Sequence, residues 1–124
     1  MLSTSKLVAF VPIRDSARSR PFYEGVLGLR FIDENPFALL MESNGVRVRL
    51  AKTPKFTPAD FTVLGWQVAD IQAMVTALMQ KGVKFERFPG MDQDKLGIWA
   101  APSGAKVAWF KDPDGNILSL AEHP

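Results

Sequence analysis

Two arginines separated by one residue are the side chains in this sequence with the clearest chemical potential. Arg47 and Arg49 lie in VRVRLAK, whose alternating residues predict a β-strand. Since successive strand side chains point to opposite faces, both guanidinium groups share one face. A guanidinium presents paired donors that match a carboxylate or phosphate, so we expect anion recognition here. Two other interpretations stay open: Arg49 pairs with Glu42 or with a carboxylate of a second subunit, and Arg47 lies at an exposed strand end.

Other reactive side chains lack the partners that their chemistry needs. The chain has no cysteine, which excludes disulfides, thiol nucleophiles and Cys-ligated zinc. His123, the only histidine, stands beside Glu122, but adjacent strand residues point apart and chelate poorly. Asp92 and Asp94 have calcium-loop spacing without the rest of that pattern, which favours a polar loop. Ser119 has no histidine to activate it as a nucleophile.

Length and charge narrow the class of protein. A chain of 124 residues fits one domain, and its net charge of +2 is too small and too dispersed for nucleic-acid binding. The apolar run at 7–13 is too short to span a bilayer, and no cleavage pattern follows it. We therefore expect a cytoplasmic protein that contacts neither nucleic acid nor membrane.

The elements that must position these residues occur twice. LVAFVPIRD at 7–15 and TVLGWQVAD at 62–70 each predict a strand that ends in a helix-capping aspartate. The second helix should begin after Asp70 and end at Gly82. The first, at about 16–27, contains Pro21, so either Asp15 caps it with Pro21 inside or Ser19 is the cap. The predicted apolar face of the second helix is Ile71, Met74, Val75, Leu78 and Met79.

Strands fill the rest of each half. SNGVRVRLAK at 43–52 aligns with PDGNILSLAE at 113–122, and two strands precede each, at 30–33 and 37–42 and at 83–88 and 105–111. The order βαβββ, repeated, predicts an α+β fold with a curved mixed sheet. We predict a single domain, 1–124, with module one at about 1–52, a linker at about 53–61 and module two at about 62–124. DPDG at 112–115 predicts a tight turn.

Strand parity separates two faces of the predicted sheet. One face is apolar and should lie under the helices, on the convex side: Ala9, Val11, Ile13, Val48, Leu50, Leu64, Trp66, Val68, Leu118 and Leu120. The opposite, mixed face should form a concave cup, which is where we expect a ligand.

FYEGVLGLRF at 22–31 and WFKDPDGNILSL at 109–120, with the duplicated βαβββ order, resemble the vicinal oxygen chelate superfamily. That superfamily includes glyoxalase I, fosfomycin-resistance proteins, extradiol dioxygenases and bleomycin-resistance proteins. The resemblance extends over essentially the whole chain. It implies two modules around a cup and a homodimer, because members of this length usually dimerise to cover their sheet edges. It does not specify a function, since the fold hosts many chemistries.

Metal-dependent members hold a divalent cation in the cup with four side chains, usually His, Glu or Gln. Carried over by position, two of these sites fall on Val8 and Val63, each seven residues before a helix-capping aspartate. The other two fall on Arg49 and Ser119, near the ends of the last strands. Valine cannot ligate a metal, and an arginine repels a cation. The resemblance thus implies a member without the usual metal site, and we predict neither metal nor cofactor.

The resemblance also places Trp109 on the cavity side, as in the ring-cleaving dioxygenases. Trp99 either lines the mouth of the cup or belongs to the core. We expect a small organic ligand that is anionic or aromatic. The predicted ligand-binding residues are Phe10, Arg47, Arg49, Gln67, Trp99, Trp109 and Ser119.

Three functional hypotheses follow, in this order. The first is metal-free binding of a small molecule, for example by sequestration, although a slightly basic chain suits cationic bleomycin poorly. The second is a lyase, isomerase or dioxygenase that uses unexpected metal ligands, or a metal-free enzyme with Glu42 or Asp94 as a lone general base. The third is a structural or regulatory module whose own side chains fill the cup.

Overall fold

The computed structural model describes residues 1–124, and it confirms an α+β protein with two βαβββ modules. The chain divides into two compact units, Met1–Thr57 (unit 1) and Pro58–Pro124 (unit 2). Each unit holds one four-stranded mixed sheet and is described by itself below. None of the helices combines the length and hydrophobicity needed to cross a membrane.

Unit 1 contains one sheet, one short helix and a π-helical turn. Its sheet has the order β1-β4-β3-β2, in which β1 and β4 are parallel and the other neighbours are antiparallel. The elements are β1 (Val8–Ile13), α1 (Ser16–Arg20), the π-helical turn (Pro21–Val26), β2 (Arg30–Glu34), β3 (Ala38–Ser43) and β4 (Val46–Lys52).

The start of α1 decides between the two caps that the sequence left open. The Asp15 carboxylate accepts a hydrogen bond from the backbone N–H of Ala17 at 2.9 Å, so Asp15 is the cap. The alternative cap, Ser19, is wrong, and its side chain is buried within the helix. Pro21 lacks the N–H that an α-helix requires. The chain widens there into the π-helical turn, which closes with a Leu27 N–H to Phe22 C=O bond of 2.9 Å.

Unit 2 repeats the arrangement with a longer helix. Its sheet has the order β5-β8-β7-β6, with β5 parallel to β8, and the helix packs on β7 and β8. The predicted cap is confirmed, because the Asp70 carboxylate accepts from the Ala73 N–H at 3.0 Å. The elements are β5 (Thr62–Gln67), α2 (Ile71–Gln80), β6 (Trp99–Ala100), β7 (Lys106–Lys111) and β8 (Ile117–Glu122).

The predicted apolar face of α2 is wider than the face that the helix buries. Ile71, Val75 and Leu78 are buried, whereas Met74 and Met79 are 40% and 46% exposed. Both methionines flank the buried stripe, where a flexible apolar side chain tolerates partial contact with water. The helix therefore contributes three side chains, rather than five, to the core of unit 2.

The predicted strand at 83–88 is wrong. This segment makes a single β-bridge, from Phe85 to Phe110, and the strand between α2 and β7 is the short β6 at the sheet edge instead. The Gln93 side chain accepts from the Phe88 N–H at 2.8 Å and donates to the Glu86 C=O at 3.0 Å. A side-chain amide thus satisfies backbone groups that a neighbouring strand would otherwise pair.

Strand parity is confirmed in both units. The faces predicted to lie under the helices carry the core, although Ala9, Leu64, Trp66 and Val68 are only partly buried. The buried side chains on these faces are Val11, Ile13, Leu39, Met41, Val48 and Leu50 in unit 1 and Ala108, Phe110, Leu118 and Leu120 in unit 2. We call the opposite face of each sheet its open face. The cup expected from the sequence stays a prediction.

Candidate functional site

The open face of unit 1 consists of rows of side chains that run across the strands. One row contains Val8, Arg47, Glu42 and Arg30, one residue from each strand. These strands are about 4.8 Å apart, so neighbours in a row are within reach of each other. Three neighbouring side chains of this row, Arg47, Glu42 and Arg30, are therefore charged.

The ion pairs of this row correct one expectation for Glu42. Its carboxylate accepts two bonds from the Arg30 guanidinium, at 2.7 and 2.9 Å, and lies 4.0 Å from Arg47 Nε. The alternative in which Glu42 pairs with Arg49 is therefore wrong. Arg47 is 44% exposed and lies beside Glu42, which is now engaged by Arg30 and poorly placed to act as a lone general base.

Arg49 lies in the second row, where its immediate neighbours are apolar. Phe10 on β1 and Leu40 on β3 flank it directly, and Asp33 is one strand further away. No carboxylate of the chain lies within salt-bridge distance of Arg49. Its side chain is partly buried, whereas Phe10 is 64% exposed. The row thus combines one guanidinium with an exposed aromatic ring.

The open face of unit 2 has a different chemistry, because two of its rows contain only neutral side chains. Its first row contains Gly65, Ser119 and Trp109. The second row contains Gln67, Ala121, Val107 and Trp99. The structure therefore brings four of the predicted site residues, Gln67, Trp99, Trp109 and Ser119, onto one face.

Three aromatic rings form one side of this face, which we call the aromatic wall: Phe88, Trp99 and Trp109. The Trp109 ring lies 6.1 Å from that of Trp99 and 5.4 Å from that of Phe88, which meets it edge-on at 89°. All three residues are partly buried, so each keeps some surface for a further contact. Phe88 was missed as a site residue because the sequence placed it on a regular strand.

Beside the aromatic wall the sheet surface is low, because its residues have short side chains: Gly65, Ser119, Ala121 and Val107. A Cβ at Gly65 would lie 2.8 Å from Ser119 Oγ, so a side chain at position 65 would clash with the hydroxyl that lies against this glycine. Ala121 and Val107 continue this low surface toward Trp99. We call the low surface and its wall the aromatic recess. Gly65 was also missed, and its place opposite Ser119 depends on strand register.

The residues that the sequence resemblance assigns to the four superfamily metal positions do not fit a cation. Val8 and Val63 have no donor atom, Arg49 is positively charged, and Ser119 offers one neutral hydroxyl. No group of three or more His, Cys, Asp or Glu side chains in the chain is arranged to hold a metal ion. No chemical step through a metal can be derived from these side chains.

A separate cleft of about 370 Å³ lies beside the start of α2 and contains the aspartates of the predicted polar loop. Most of its acidic side chains accept hydrogen bonds from backbone N–H groups. Asp94 accepts from the N–H groups of Leu96 and Ile98, both at 2.9 Å, and Glu122 accepts from that of Ile71 at 2.9 Å. Asp94 is thereby occupied as a loop-stabilising acceptor, which disfavours it as a general base.

The fold and the family model together identify the class of protein. A model described as the Glyoxalase/Bleomycin resistance protein/Dioxygenase superfamily matches residues 7–120. The chain belongs to this superfamily, which confirms the resemblance found in the sequence. None of the curated proteins matches the chain.

Solved structures share the fold at low sequence identity. A glyoxalase family protein from Enterococcus faecalis is 19% identical, with a TM-score of 0.76 and coverage of 98% of this chain and 100% of that one. TnmS3, an antibiotic binding protein from a Streptomyces species, is 21% identical, with a TM-score of 0.75 and coverage of 100% and 99%. A lactoylglutathione lyase from Agrobacterium tumefaciens is 15% identical, with a TM-score of 0.73 and coverage of 96% and 93%. At these identities the likeness shows the fold alone.

Proposed function

We propose that this chain binds a small, flat organic molecule in the aromatic recess without using a metal. The observation that carries the proposal is the composition of the recess. Two indole rings border a low, uncharged surface that holds one hydroxyl. Flat rings stack favourably on such walls, and a few polar groups fix their orientation.

Ser119 supplies the polar contact of the recess. Its hydroxyl is partly buried between Gly65 and Trp109 and makes no hydrogen bond within the chain. Gln67, in the adjacent row, adds an exposed amide. A conjugated ligand with a carbonyl or hydroxyl on its edge satisfies these groups while its ring meets Trp109.

The superfamily supports binding as a function that this fold can perform. TnmS3, which has the same fold, is described as an antibiotic binding protein. We further propose that the chain acts in the cytoplasm as a homodimer. Val8, which is 41% exposed on the edge strand β1, supports an association that covers this edge.

Tryptophan fluorescence tests the proposal with coumarin, a neutral, flat molecule with a carbonyl edge. We expect coumarin to quench the fluorescence saturably and Trp109→Leu to weaken its affinity about tenfold, the value of one aromatic contact. Trp66→Phe is the matched control, since Trp66 lies on the opposite sheet face, 6.5 Å from the Phe110 ring.

The control also defines the contrary result. Equal loss of affinity in both variants, or no saturable quenching in the wild type, would contradict binding in the aromatic recess. Elemental analysis of the same protein, purified without chelators, tests the metal-free part. Stoichiometric zinc, iron, manganese or nickel would overturn it and favour the enzyme hypothesis.

A further inference from the structure

We infer that Arg49 is an anchor for an organic carboxylate, so that unit 1 binds a ligand that carries a carboxylate next to an apolar group. The inference goes beyond the proposed function, since it assigns a second binding site. The observations that carry it all lie in unit 1, and they are independent of the aromatic recess.

The first observation is the contrast between two arginines on one strand. Arg47 and Arg49 share strand β4 and its open face. The register places Glu42 beside Arg47, but it places Leu40 beside Arg49. Arg30 pairs with the Glu42 carboxylate at 2.7 Å, and no ion pair or side-chain hydrogen bond of the chain involves Arg49.

The second observation is the partial burial of Arg49 beside apolar side chains. Burying a guanidinium is costly unless an acceptor compensates for the lost water. Arg49 is less exposed than Arg47, yet its neighbours in the row, Phe10 and Leu40, offer no acceptor. A bound carboxylate would supply the missing acceptor in a bidentate geometry.

The third observation is the exposed ring of Phe10, which defines the rest of the ligand. Phe10 is 64% exposed and is the register partner of Arg49 on the neighbouring strand β1. A hydrocarbon or aromatic group attached to the carboxylate covers the ring as the ion pair forms. An inorganic anion satisfies Arg49 but leaves Phe10 in water, so we assign an organic carboxylate.

The assignment also accounts for the departure from the superfamily's metal positions. Arg49 occupies one of the four positions at which metal-dependent members place a ligand for their cation. A fixed guanidinium supplies positive charge at that position directly. An anionic ligand oxygen can therefore be held without any metal ion.

Benzoate and benzamide test the inference, because they differ only in the charged group. Calorimetry measures both affinities, and the nuclear magnetic resonance signal of Arg49 Nε reports the contact. We expect benzoate to shift this signal and to bind more tightly than benzamide. Arg49→Gln should weaken benzoate about tenfold or more, as expected for hydrogen bonds to a charged group. Arg49→Lys should retain only part of the affinity, since it keeps the charge without the paired donors.

Arg47→Gln is the matched control, with the same charge change on the same strand face. We expect it to alter benzoate affinity by less than about twofold, as for an exposed ion pair. Equal losses in the two glutamine variants, or equal affinities for benzoate and benzamide, would overturn the inference. A drop from dimer to monomer mass in Arg49→Gln, with no benzoate binding by the wild type, would assign Arg49 to a subunit contact instead. Coumarin quenching remains a separate readout, so failure of the carboxylate anchor and failure of the recess are distinguishable.

Discussion

Replacing Asp112 with alanine should destabilise the turn that connects the two strands of the aromatic recess. Asp112 is 5% exposed and is the first residue of the turn, directly after β7. Its carboxylate accepts from the Asp114 and Asn116 N–H groups, both at 2.9 Å, and from Asn116 Nδ2 at 2.8 Å. Alanine therefore leaves three buried donors without this acceptor.

The size of the effect follows from these three bonds. A hydrogen bond to a charged group contributes about 1.5–3 kcal/mol, but bonds to one carboxylate are not additive. We expect Asp112→Ala to lower the free energy of unfolding by about 3–5 kcal/mol, a large part of the stability of an ordinary domain. Asp112→Asn keeps an oxygen for the two backbone donors but loses the charge and the acceptor for Asn116 Nδ2, so it should cost about 1–2 kcal/mol, less than alanine.

Urea unfolding followed by circular dichroism measures the three proteins. With a slope of about 1–3 kcal/mol per molar urea, the alanine variant should unfold at least about 1 M earlier than the wild type. Asp60→Ala serves as the control, because Asp60 is exposed and lies in the segment before β5. This change should alter stability by less than about 0.5 kcal/mol. Equal stabilities of the alanine and asparagine variants would refute this account of the turn.

Two further predictions concern an exposed carboxylate and a helix cap. The Glu34 pKa lies below its usual 4.5, chiefly through the Lys52 hydrogen bond and then the Ser16 hydroxyl. The stability that the ionised Glu34 contributes is present above about pH 4.5 and is lost as the pH falls through the folded-state pKa. Lys52→Gln should therefore raise the Glu34 pKa, as measured by titration of the carboxyl resonance. An unchanged pKa would contradict the stated cause. Asp70→Ala removes the acceptor for the Ala73 N–H and should lower the free energy of unfolding by about 1 kcal/mol, whereas an unchanged urea midpoint would mean that Glu122 alone caps α2.

Features with a fixed geometric period were predictable from the sequence. The alternation of strand side chains placed Val11, Ile13 and Leu50 in the core and Arg49 on the open face. Asp70 and Gly82 marked the ends of α2 because capping needs particular side chains and backbone angles. These are local properties of the chain, and neighbouring residues suffice to specify them.

Features that depend on non-local contacts were not predictable. The segment at 83–88 has strand-like composition, but the Gln93 amide takes up part of its backbone pairing. Trp99 had no predicted place until β6 paired with β7 beside the Trp109 ring. Nothing in the sequence near Phe88 or Trp99 indicates that both rings contact the same indole.

By itself, the sequence determined the βαβββ repeat and the superfamily, because local patterns and motifs are enough to indicate both. Only the tertiary structure decided which arginine of β4 has a carboxylate beside it. Residue type cannot distinguish the two positions, since both are arginines and lie two residues apart on the same strand face. The register between β3 and β4 distinguishes them, because this register places Glu42 beside Arg47 and Leu40 beside Arg49.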